Sequence, residues 1–139
     1  MKRFIKALSV LCLTVCMLFS SLVPVQAAVD SSELIEMFDV YILNTGDGEL
    51  EIDAYISTVP TCDELKIIYV ELYEQDEDGD WVYLDNWSAS IENDSLLALR
   101  EYYNGTIGKT YRAEAGFKAI DGDIEETRTL TSSKVVCRR

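Results

Sequence analysis

Residues 49–56, Glu49-Leu50-Glu51-Ile52-Asp53-Ala54-Tyr55-Ile56, alternate polar and apolar side chains almost strictly. A period of two sends neighbouring residues to opposite faces of an extended strand. Leu50, Ile52, Ala54 and Ile56 are therefore expected in a core. The alternation recurs over 110–119, with Tyr111, Ala113, Ala115, Phe117 and Ala119 on one side. A first strand is expected over 37–44, closed by the turn Thr45-Gly46-Asp47-Gly48. Pro60 is expected to end the second strand. Residues 65–73 are apolar on both faces, which suits a central strand. Strands are further expected over 81–87 and over 124–136, with the turn Asp121-Gly122-Asp123 before the last and Thr127, Thr129 and Thr131 on one of its faces. Short strands at regular spacing predict an all-β antiparallel sandwich of six or seven strands.

The stretch 94–105 stays open. Asp94 or Ser95 could cap a helix that ends at Asn104-Gly105. Read as a strand, the same residues place Leu97, Leu99 and Tyr103 on one face.

The first thirty residues follow another pattern. Lys2, Arg3 and Lys6 precede an uncharged, largely apolar stretch over 7–23, and Val25-Gln26-Ala27 then offers a small-residue cleavage pattern. That order is the pattern of a secretory signal peptide over 1–27. Neither Cys12 nor Cys16 follows the small residue of a lipoprotein site. The expected organisation is a signal peptide, a flexible lead over 28–36 and one sandwich domain over 37–139. The product would be secreted, extracellular and free of any membrane. After cleavage nine basic residues face 25 acidic ones, a net charge of −16. Such a charge favours solubility and repels nucleic acid and anionic membrane surfaces.

Cys62 and Cys137 remain after processing. In an oxidising exterior an even pair is expected to form one disulfide, worth about 4 kcal/mol for a loop of this length. Strand parity bears on that pairing. If 94–105 is a strand, five strands separate the two cysteines and leave them at opposite ends of the sandwich. A helix there, or a bend at Ser132-Ser133, would let them meet.

The chain contains no histidine, which excludes Ser-His-Asp and Cys-His catalysis and any histidine-ligated zinc. It has no nucleophile elbow, phosphate loop or dinucleotide fingerprint. The expectation is a protein that is not an enzyme and carries no cofactor. One stretch raises calcium: Glu74-Gln75-Asp76-Glu77-Asp78-Gly79-Asp80-Trp81. Asp76, Asp78 and Asp80 have the alternating spacing of calcium ligands, but the glycine and glutamate of an EF-hand are not at its positions. Flanked by strands, Asp78-Gly79 also signals a plain hairpin tip, and that is the preferred account. The tip at 121–123 could share an ion if both lay at one end. Trp81, Tyr83 and Trp87 fall on one face unless a bulge intervenes. That face is either core, the commoner use of tryptophan in a sandwich, or a binding patch.

The run from Leu99 to Ala115, ending in Tyr103-Asn104-Gly105-Thr106-Ile107-Gly108-Lys109-Thr110-Tyr111-Arg112-Ala113-Glu114-Ala115, resembles the E-to-F passage in fibronectin type III and related immunoglobulin-like domains, where a glycine turn precedes a strand opening with tyrosine. The order of Gly79-Asp80-Trp81, Thr110-Tyr111-Arg112 and Glu126-Thr127-Arg128-Thr129 is similar to that in small secreted proteins of unknown function from Gram-positive gut bacteria. The resemblance implies a bacterial, immunoglobulin-like domain and favours a strand over 96–103. The function expected is a monomeric, non-catalytic binding or accessory module for a protein or glycan. The alternatives are a calcium-responsive structural domain and, more remotely, a carboxylate-dependent hydrolase.

Overall fold

The computed structural model describes residues 34–139; the proposed signal peptide over 1–27 and residues 28–33 of the lead lie outside the described residues. The described chain is all β and contains no helix. Its six strands are β1 (Ile35–Gly46), β2 (Glu49–Gln75), β3 (Trp81–Asn104), β4 (Thr110–Asp121), β5 (Ile124–Thr131) and β6 (Val135–Val136). They form one antiparallel sheet that curls on itself.

Two long strands make the curl. β2 has 27 residues and β3 has 24. The first part of β2 lies between β1 and the second part of β3; the second part of β2 lies between β4 and the first part of β3. The ladder between them breaks at one corner, between Ser57↔Leu96 and Cys62↔Asp94. Pro60 sits in that corner. It does not end the strand as expected: proline has no N–H to give, and here no partner asks for one. Thr58 Oγ1 donates to Pro60 O across the bend (2.7 Å). What the pattern suggests as separate strands on either side of Pro60 is therefore one strand, bent. Residues 94–104 of the open segment likewise belong to β3, with Leu97 buried and Leu99 and Tyr103 packed on the core.

Leu50, Ile52, Ala54 and Ile56 are buried, and so are Tyr111, Ala113, Ala115, Phe117 and Ala119. The curl brings β1 over β4, where the Phe38 and Phe117 rings meet at 5.5 Å. Small alanines in β4 make room for the larger side chains that face them. The β1–β2 turn uses Asp47 (φ 53°) and Gly48 (φ 85°), the pair of positive φ values a two-residue hairpin loop needs. Between β5 and β6 the chain bulges at Ser132, whose N–H donates to Ala113 O and whose Oγ accepts from Ala113 N–H (2.8 and 2.9 Å).

Two expectations need correction. The lead was expected to run to residue 36, yet Leu34 and Ile35 are buried. Their N–H groups both donate to Glu126 Oε2 of β5 (2.8 and 3.0 Å), and Arg128 holds Oε1 of the same carboxylate (2.6 Å). A carboxylate that satisfies two backbone donors fixes the start of β1. The cysteines, secondly, are both free and buried. Cys62 lies at the corner of β2, opposite Asp94. Cys137 lies at the far end of that same stretch of β2, its Sγ 3.4 Å from Gly48 O. With 94–105 extended, strand parity holds them apart.

Glu126→Ala should therefore lower the unfolding free energy by about 2 kcal/mol, since hydrogen bonds to a charged group contribute roughly 1.5–3 kcal/mol. Urea denaturation would measure it, and amide exchange at Leu34 and Ile35 should quicken. The native protein should also hide two thiols from a disulfide-exchange reagent and expose both in denaturant. Unchanged blankness in denaturant would mean they are bonded.

Candidate functional site

Cross-strand partners share a face, so the register lists what the outward side of β3, β2, β4 and β5 carries. Tyr73 pairs with Tyr83 and Arg112, Glu71 with Asn86 and Glu114, and Tyr69 with Gly116. Gly116 and Glu114 in turn pair with Thr129 and Thr131 of β5. Two one-residue bulges set this arrangement. In β2 the register passes from Ile67↔Phe117 to Tyr69↔Gly116, leaving Ile68 as the extra residue. In β3 it passes from Asp85↔Leu72 to Tyr83↔Tyr73, leaving Leu84 extra.

The bulge at Leu84 divides the three aromatics expected on one face. Trp87 pairs with the fully buried Val70 and packs on the core. Trp81 and Tyr83 point outward, with Tyr83 53% exposed. An extra residue inverts the alternation beyond it, and no composition signal announces it. Around Trp81 and Tyr83 the fold assembles groups that the sequence did not single out. The Arg112 guanidinium stands 4.4 Å from the Trp81 ring centre and 5.5 Å from that of Tyr73. Lys134 Nζ lies 5.3 Å from the Trp81 ring. The Tyr73 and Tyr83 rings meet edge to face at 6.0 Å. Cations over aromatic faces gain about 0.5–1 kcal/mol each at exposed sites, enough to order the cluster without burying it. Arg112 Nη2 also pairs with Glu114 Oε1 (2.7 Å).

Gly116 was the available hint to this face. A glycine inside a strand marks a close approach, and here a Cβ would stand 2.5 Å from the Tyr69 ring. Tyr69 thus lies across the glycine.

The acidic stretch forms the β2–β3 tip. Asp76 Oδ1 accepts the N–H groups of Asp78 (3.0 Å) and Asp80 (2.8 Å), Asp76 N–H donates to Asp80 O, and Gly79 takes φ 91°. Asp76 is therefore spent on closing the turn, while Asp78 and Asp80 are exposed. Among the described residues no group of three acids or cysteines is placed to hold a metal. The tip at 121–123 is at the other end of the sheet, beyond Ile120↔Glu64, where Gly122 N–H donates to Asp63 Oδ2 (2.8 Å). The two tips therefore cannot share an ion.

No family model matches the chain, and no curated protein or solved structure matches it either.

Two tyrosines next to this face have unusual acidity. Tyr73 donates to Glu71 Oε2 (2.6 Å); that bond, then burial, pushes its hydroxyl up to about 12. Tyr111 is fully buried and donates to Glu74; burial first, then that bond, pushes it to about 12. Both values are raised above the unfolded value near 10. The stability they contribute is complete below pH 10 and is lost as pH rises through about 12. In an ultraviolet titration Tyr73 and Tyr111 should ionise near pH 12. Glu71→Gln should bring Tyr73 down and leave Tyr111 in place.

Proposed function

We propose that the protein is a secreted, non-catalytic binding or accessory module whose contact surface is the outward face of β3, β2 and β4. The observation that carries this is the cluster of Trp81, Tyr73, Tyr83 and Arg112: aromatic and arginine side chains, half-buried or exposed, on one outward sheet face. Trp, Tyr and Arg dominate binding hot spots, the aromatics because they offer large contact area with little entropy to lose. The ligand is a protein or a glycan of the cell envelope or host environment. The protein acts as a monomer, away from nucleic acid and membranes, as its acidic balance favours.

The same proposal takes the curled sheet as an immunoglobulin-like sandwich. One layer would be β1 with the first part of β2 and the second part of β3, and the other the remaining parts. Two features support it. Phe38 and Phe117 meet between those layers. Tyr111, near the start of β4, accepts the Thr106 N–H five residues upstream (2.7 Å), which is the bond of the tyrosine corner in immunoglobulin-like domains.

The test is retention of a partner from isolated bacterial envelope, mucin or host-cell extract, in calcium and in chelator. Retention in both buffers is expected. Tyr83→Ala and Arg112→Ala should each weaken it about tenfold or more, and asparagine at Asp76, Asp78 and Asp80 together should leave it unchanged. Retention only in calcium would move the function to the acidic tip.

A further inference from the structure

Beside the Trp81 cluster, on the β4–β5 side of the same face, lies an open depression of about 280 Å³, lined by Tyr69, Glu114, Thr129, Leu130 and Thr131. Its construction is specific. The Tyr69 side chain occupies the space above Gly116 that any other residue would fill, so its ring is laid along the sheet. Thr129 is the β5 partner of that glycine and Thr131 the partner of Glu114, so two hydroxyls and a carboxylate stand around one aromatic ring. Arg112 already pairs with the carboxylate (2.7 Å), so Glu114 can accept hydrogen bonds without calling for a cationic ligand.

We infer that this depression takes one sugar ring of a neutral glycan, an inference that rests on the binding-module proposal and names its ligand class. An aromatic face attracts the slightly positive C–H edges of a pyranose, as it does the edge of another ring. The carboxylate accepts from sugar hydroxyls, while threonine hydroxyls both donate and accept. Drug-sized ligands fill roughly 300–1,000 Å³; this volume suits one ring, with the rest of the chain running outside along the face. Tyr73 lies four residues along β2 on that path, about 13 Å away at strand rise. Neutrality follows from charge. Glu71 and Glu114 are paired across the sheet beside the depression, and a chain of net charge −13 repels sulfated or uronic polymers.

The test is affinity electrophoresis of the purified protein in gels holding a β-glucan, a xylan, a mannan, a galactan or, as the acidic control, a pectate. At least one neutral polymer should retard the protein and pectate should not. Tyr69→Ala should weaken that retardation about tenfold, the scale of one aromatic contact, and Thr129→Val about fivefold, the scale of one hydrogen bond. If Tyr69→Ala loses its circular dichroism, Thr129→Val decides alone, because valine keeps the β-branched shape that suits the strand. Retardation that both variants leave intact would put the sugar elsewhere and overturn the inference, leaving the module proposal standing. No retardation by any neutral polymer overturns it too. Retention of a protein partner by the Tyr83 and Arg112 face would then preserve the module, and loss of retention as well would end both.

Discussion

The period of two is the constraint on which the rest of this structure depends, and one extra residue reverses it. β2 is the central strand of both parts of the sheet, so its alternation sets the inside and outside of everything paired to it. Before the bulge its buried residues are Leu65 and Ile67; after it they are Val70 and Leu72. The residue left over, Ile68, is 42% exposed. Without that insertion Tyr69, Glu71 and Tyr73 would point into the core. With it they point to water, beside Gly116, Glu114 and Arg112. The bulge in β3 does the matching work at the edge: it keeps Trp87 inside over Val70 while turning Trp81 and Tyr83 outward. The candidate surface and the core are thus two consequences of the same pair of insertions.

This explains which parts of the fold were legible in the sequence. Where alternation runs unbroken, as from Leu50 to Ile56 and from Tyr111 to Ala119, inside and outside could be read residue by residue. The turns at 46–48, 76–80 and 121–123 were also legible, because glycine beside aspartate is a local signal. The bulges were not, since Ile68 and Leu84 differ in no chemical respect from the strand residues around them. A bulge is chosen by how neighbouring strands must twist within the curled sheet, and that choice is made by residues far away in sequence. The same limit applies at Pro60, where a strand breaker proved harmless because the corner needed no donor. It applies to Glu126 as well, whose value depends on Leu34 and Ile35 on the other edge of the sheet. Cys62 and Cys137 show the converse. Their number suggested a bond, but the direction of the strands between them decided the matter.

The charge of the chain is managed locally rather than by compartment. Lys118 meets Glu125 (2.7 Å), Lys66 meets Glu64 (3.0 Å) and Arg112 meets Glu114 (2.7 Å) along the outward face. On the other outward face Arg100 bridges Asp53 and Glu51 (2.7 and 3.3 Å). The three pairs on the first face are partly exposed and contribute little stability, whereas Asp53 is buried beneath Arg100. Their effect is to hold long side chains in one orientation, so that an acidic protein presents its few cations at fixed points. At the hairpin tip Asp76 is used by the turn, while Glu77, Asp78 and Asp80 are exposed.

Arg112 connects the two parts of the proposed surface. Its guanidinium carbon lies over the Trp81 and Tyr73 rings (4.4 and 5.5 Å), and the arginine fork leaves further N–H groups free to bond elsewhere. The end of the same group fixes Glu114 at the rim of the Tyr69 depression. A ligand ring seated on Tyr69 and one laid toward Tyr73 would therefore meet walls positioned by one side chain. That side chain in turn owes its place to Tyr111, the next residue inward, which is anchored in the core by Glu74 and by the Thr106 amide. Tyr111 is among the most deeply buried of the described residues, so the backbone that carries Arg112 is held from the core side. A face backed in this way would lose little freedom when a ligand settled on it, and preorganisation of that kind favours binding at a shallow site.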